Sequence, residues 1–166
     1  MSEELTNQYL TFYLDEEEYA LSVTRVQEVL ELTEPSRLPQ MPYYMEGIIN
    51  VRDSVLPVVD MRRRFGLEEV DRTVDSAIVV MELSPAEEKD EATTVGCLVD
   101  AVDAVVEIEP TQIEAPPEIG TSVDSDFLEG IAKVDERFVM ILDPNALFNR
   151  REIERAGSTY AAAAGR

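Results

Sequence analysis

The chain has 166 residues, and its 35 acidic against 14 basic side chains give a formal charge of −21. A polyanion of this density is repelled by duplexes and anionic bilayers, which sets aside nucleic-acid binding and direct membrane insertion. Histidine is absent and Cys97 is the single cysteine, which removes the usual general base, the usual transition-metal ligand and any disulfide within the chain.

In chain order, "MSEELTNQYL" has acids where a signal peptide has bases, and no apolar run reaches the roughly 20 residues that cross a bilayer. The expected address is the cytoplasm. "YLTFYL" (Tyr9 to Leu14) is a first strand, which "DEEEYALSV" turns back through a polar corner. Val23, Val26 and Val29 recur every third residue and predict a short helical stretch. A third strand, "LELT", follows, then the proline-bearing linker "PSRLPQMP" and a second hairpin. Asp60 before "MRRRF", with Gly66 behind it, predicts a helical turn with an N-cap and a glycine stop. "SAIVVMEL" and "VGCLVDAV" form the next hairpin, joined by "SPAEEKDEATT", a solvated charged loop. "VEIE", the linker "PTQIEAPP" and a last hairpin lead to Asp143-Pro144, a helix opening with proline at its first position. The tail "AGSTYAAAAGR" is of low complexity and expected to fray.

The chain repeats itself. "EGIINVRDSVLPVVDMRRRF" aligns without gaps on "EGIAKVDERFVMILDPNALF" 83 positions later, matching Gly47 with Gly130 and Asp60 with Asp143. "SVTRVQEVLEL" aligns on "LVDAVDAVVEI" 76 positions later, so two matches occur in the same order. Each half is then one unit of about five short strands with tight turns, which suits a small closed barrel better than an open sheet.

These segments resemble the CheW family of chemotaxis adaptors, most specifically in the block from Pro42 to Gly66, with motifs in order from about Asn7 to Phe148. The resemblance implies a mainly β fold of two five-stranded SH3-like barrels with short helices, a C-terminal helix, and a groove between or beside the barrels. The expected division is 7–70 for the first barrel, 71–148 for the second, and 149–166 for the helix end and tail. It also implies no catalysis, no cofactor and no metal. The implied partners are the cytoplasmic tips of chemoreceptors and the regulatory domain of the histidine kinase CheA, itself CheW-like, at membrane-associated receptor arrays. Family residues implicated in receptor contact fall on Val26, Glu28, Gly47 and Arg52; the face toward the kinase is not indicated. At the turn the family usually reads N-L-R-G, where this chain has Asn50, Val51, Arg52 and Asp53.

Each residue also has a plainer reading. Arg52 at a hairpin tip can fork onto a partner's carboxylate or carbonyl, or pair with Asp53. Val26 fits a core stripe, and Gly47 fits a close approach between strand and linker. Arg62, Arg63 and Arg64 share one helical turn, cannot all face one way, and suit pairing with local acids. The clusters "DEEE" and "AEEKDEA" lack the alternating ligands and central glycine of a calcium loop and suit a solvated surface. Other functions to weigh are a scaffold for a different sensory kinase pathway and a carboxylate-dependent hydrolase on a β-barrel; no paired-acid motif supports the hydrolase.

Only Lys89 and Lys133 are lysines, and the charge of −21 repels itself in dilute buffer. At about 1 M salt the Debye length shortens to roughly 3 Å and that repulsion is screened, which suits a salt-accumulating cytoplasm. The melting midpoint should therefore climb steeply from dilute buffer to molar potassium chloride, beyond the rise of a neutral control protein. A midpoint that hardly moves across that range removes the halophilic reading.

Overall fold

The computed structural model describes residues 7–37, 39–83, 93–115, 125–148 and 153. The charged loop over 84–92 and the tail over 154–166 lie outside the described residues. The strands are β1 (Gln8–Leu14), β2 (Glu17–Ser22), β3 (Val26–Glu31), β4 (Met45–Val51), β5 (Ser54–Asp60) and β6 (Ala77–Leu83). They continue with β7 (Thr93–Val99), β8 (Ala101–Glu107), β9 (Ile113–Glu114), β10 (Leu128–Val134) and β11 (Arg137–Leu142). Two short helices, α1 (Met61–Arg64) and α2 (Pro144–Leu147), follow the β4–β5 and β10–β11 hairpins.

The fold is mainly β, in two sheets. One runs β8-β1-β2-β11-β10-β9 and the other β3-β6-β7-β5-β4. Exchanging each strand for its repeat counterpart turns one order into the other. The isolated bridge between Ser36 and Ile48 takes the place that β9 holds beside β10. Both sheets contain one parallel pairing, β2 with β11 and β7 with β5, and it is there that the repeats interlock. Each repeat lends its first hairpin to the sheet of the other. The sheets therefore do not follow the division at 70/71: β1 and β2 pair with strands from beyond it, and β6 and β7 complete the sheet of β3, β4 and β5.

Strand alternation sends side chains into three apolar fillings. Tyr9, Ala20, Ile108, Ala132, Val139 and Ile141 cluster on one face of the first sheet. Ile49, Leu56, Val58, Ile78, Val80 and Leu98 do so on the second. The opposite faces meet in a larger shared core that includes Phe12, Tyr19, Leu21, Met61, Met81, Cys97, Met140 and Leu147. The exchanged hairpins carry the load of both, which is why β1, β2, β6 and β7 are buried on both faces. The tip of the β4–β5 hairpin reaches β3, the opposite edge strand of the same sheet, through a 2.6 Å ion pair.

The period-three valines do not form the expected helical stretch. Only Val23–Arg25 makes a single 3-10 turn, and strand β3 begins at Val26. In the second repeat β7 passes into β8 with a single bend residue between them. A bulge between Val26 and Glu28 produces the irregular valine spacing, because the extra residue breaks the period of two.

Helix α1 is held as its sequence predicts. The Asp60 carboxylate accepts from the amides of Arg62 and Arg63, and Gly66 takes a positive φ of 74°. Its arginines diverge. Buried Arg62 forks onto Asp100 with distances of 2.8 and 2.6 Å, donates to the Glu68 carbonyl, and pairs with Asp15 in the β1–β2 turn. Arg63 pairs with Glu46, Asp60 and Glu69. Arg64 donates to the Leu147 carbonyl and lies 4.4 Å from the Phe127 ring centroid, tying α1 to the other repeat. Two of the three are matched by acids, and the third by a carbonyl and aromatic faces.

Burial disfavours ionised Asp100, but the Arg62 hydrogen bonds, the Asp15 amide and the Arg62 charge outweigh it and hold the carboxyl below its ordinary value. A carboxyl depressed in the folded state adds stability above its unfolded pKa of about 3.9, and that stability is lost as pH falls through the lower folded value. Asp100→Asn should thus be less stable than the parent by about 1–3 kcal/mol at neutral pH. The two should converge as pH falls below about 4, measured by urea unfolding across pH. A gap that stays constant with pH would show that Asp100 acts by shape alone.

Candidate docking site

The β4–β5 hairpin turns at Arg52 and Asp53, with φ of 48° and 67°. Two successive left-handed residues make the tight two-residue turn whose twist matches the flanking strands. Asp135 and Glu136 repeat it in the β10–β11 hairpin, with φ of 49° and 70°. Aspartate in the second turn position thus preserves the hairpin without glycine.

The turn presents Arg52 to solvent, with 75% of its side chain exposed. Its two terminal nitrogens donate to both carboxylate oxygens of Glu28, at 2.6 and 2.8 Å. Those hydrogen bonds, and then the Glu28 charge, hold the guanidinium proton still more tightly than usual. The partner of Arg52 is therefore Glu28 on β3, not its neighbour Asp53. The structure joins two residues separated by 24 positions in the chain.

Val26 lies two residues before Glu28 on β3, half-buried against the shared core. Gly47 is different: it is buried, with a φ of 152°. A Cβ there would stand 2.4 Å from the Ser36 carbonyl oxygen. Ser36 and Ile48 exchange backbone hydrogen bonds of 2.8 and 2.9 Å directly beside it. Gly130 plays the same part against β9, where a Cβ would lie 2.7 Å from the Glu114 carbonyl oxygen. The repeated glycine admits the linker against the sheet.

Sequence reasoning did not single out two exposed aromatics, Tyr43 and Phe138. Alternation did not mark Phe138, since it shares its phase on β11 with Met140 and Leu142, which are buried in the shared core. The acids of "DEEE" divide between structural partners: Asp15 pairs with Arg62 and Glu18 with Arg137. Among the described residues no group of acids, cysteine or histidine has the geometry to hold a metal ion, and no helix is long and apolar enough to cross a membrane.

Two β-sheets that exchange hairpins, one of them carrying a forked ion pair at a two-residue hairpin turn, define the architecture of this chain. The chain belongs to the CheW-like family, whose domain it matches over residues 8–152. It is 32% identical over 148 residues to the chemotaxis protein CheW of Bacillus subtilis, covering 89% of this chain and 90% of the relative. It is 31% identical over 147 residues to a probable chemotaxis protein CheW of Rhizobium etli, with the same coverage of 89% and 90%. A crystal structure of the scaffolding protein TtCheW from Thermoanaerobacter tengcongensis superposes with a TM-score of 0.76 at 35% identity, covering 87% of this chain and 88% of that one.

Gly47→Ala should destabilise the fold by about 1–3 kcal/mol, since backbone atoms must move to admit one methyl group. Urea unfolding checks the cost, and amide exchange at Ser36 and Ile48 should quicken. Unchanged protection at those two amides would show that the linker does not depend on the close approach.

Proposed function

We propose that the protein is a non-catalytic chemotaxis adaptor that couples chemoreceptor tips to the regulatory domain of CheA by protein–protein binding, in the cytoplasm at receptor arrays. Family membership and the names of its relatives support the chemotaxis role, and one relative is described as a scaffolding protein. The observation that carries the receptor side is the Glu28–Arg52 fork, exposed on a hairpin and flanked by Val26.

The fork suits docking for an energetic reason. An exposed ion pair contributes little to stability, so exchanging it for contacts with a helix costs little. Arg52 retains donors beyond the two that Glu28 uses, and the hairpin holds them in a fixed direction. Gly47 lets the linker pack against β4, so that the strand carrying the hairpin is supported from behind. The kinase side follows from the duplication: a CheW-like regulatory domain can meet this chain barrel to barrel through apolar patches ringed by polar residues.

The test uses a receptor-tip fragment and the isolated CheA regulatory domain at molar potassium chloride. The parent should bind both, with a negative heat-capacity change for the kinase domain. Arg52→Glu places a like charge against Glu28 and should weaken binding of the receptor fragment by about 5- to 150-fold, while leaving the kinase domain bound. Equal receptor affinity in the folded variant removes Arg52 from the site. Failure of the parent to bind the kinase domain overturns the adaptor reading.

A further inference from the structure

A groove on the other sheet has a composition that the Glu28–Arg52 site does not account for. It is walled by Ile131, Met140 and Phe138 and borders the β1–β2 turn and β9. Phe138 is 67% exposed, although the next residue of β11, Val139, is fully buried. Four carboxylates line the groove, those of Glu16, Glu17, Glu18 and Glu114, against the single guanidinium of Arg137. An aromatic face beside a surplus of negative charge complements a cation carried on an apolar stem.

One buried atom adds an independent sign. Glu18 is only 5% exposed. Its Oε1 accepts from Arg137 Nε at 2.7 Å, and the Tyr13 hydroxyl lies 3.5 Å from the same oxygen. Its Oε2 is closed off from solvent and has no hydrogen-bond partner among the described residues. A buried carboxylate oxygen without a donor is costly, and a second donor entering the groove offsets that cost. Arg137 is 41% exposed and covers the carboxylate with one nitrogen, so it is placed to shift when another guanidinium arrives.

We propose that this groove docks a segment of a partner protein that presents an arginine beside an apolar residue, the guanidinium reaching Glu18 and the acidic rim while the apolar neighbour covers Phe138. Arginine fits better than lysine because its planar fork satisfies a carboxylate through two parallel hydrogen bonds and stacks on an aromatic face. The groove belongs to the sheet of β1, β2, β10 and β11, whereas Glu28 and Arg52 belong to the other. It therefore stands independently of the receptor reading.

The probe is a pair of short synthetic peptides, one with a central arginine between two leucines, the other with citrulline in its place. Citrulline keeps the shape and removes the charge. Titrated against the full chain in molar potassium chloride, the arginine peptide should bind saturably and shift the amide resonances of Tyr13, Glu18 and Phe138. The citrulline peptide should bind at least about tenfold more weakly. Phe138→Ser, at an exposed position, should weaken the arginine peptide by a similar factor without moving the melting midpoint. Arg52→Glu should leave its affinity unchanged, which separates this site from the receptor face. Equal affinity of the two peptides, resonance shifts confined elsewhere, or no saturable binding below about millimolar peptide would each overturn the proposal.

Discussion

The exchange of first hairpins between the two repeats is the constraint on which the rest of the molecule depends. Because β1 and β2 sit between β8 and β11, and β6 and β7 between β3 and β5, neither sheet can close without the other half of the chain. Each exchanged strand serves two cores at once: Ala20 points into one barrel while its neighbours Tyr19 and Leu21 point into the shared core. On the second sheet, Val80 and Met81 divide in the same way. Burial on both faces is what makes these strands almost continuously apolar, a pattern more often met in sheets covered by helices.

The scarce cations are placed where this interlocking needs them. Arg62 joins the β1–β2 turn, through Asp15, to the residue between β7 and β8, Asp100. These are the ends of the exchanged hairpins, brought together by one guanidinium with five donors. Arg64 fastens α1 to α2 through the Leu147 carbonyl, and Arg72 joins Arg63 on the buried Glu46. In a chain of charge −21, a buried arginine network converts acids that would repel one another into partners.

The surface features are set out on this frame without disturbing it. The hairpin with Arg52 rises from an edge of one sheet, and the groove beside Phe138 lies on the other. The two features lie on separate sheets. Both hairpins rest on the same pair of devices, a two-residue left-handed turn and a glycine that lets the linker pack closely.

The sequence by itself determined the strands, the caps and the duplication, since alternation, the Asp60 and Asp143 caps and the 83-residue repeat are local or self-referential signals. The family resemblance singled out Arg52 and Gly47, while turn and strand rules alone supported only their plainer readings, a hairpin tip and a close approach between strand and linker. The valines at 23, 26 and 29 misled, since a bulge in β3 imitates a helical period over so short a run. Only the tertiary structure decided which hairpin completes which sheet, that Arg52 closes on Glu28, and that Glu18 is buried beneath Arg137. Two repeats with the same strand order offer each hairpin two topologically similar sites. The choice between them rests on packing between residues far apart in the chain, where the shared core and the Arg62 network are complete in one arrangement.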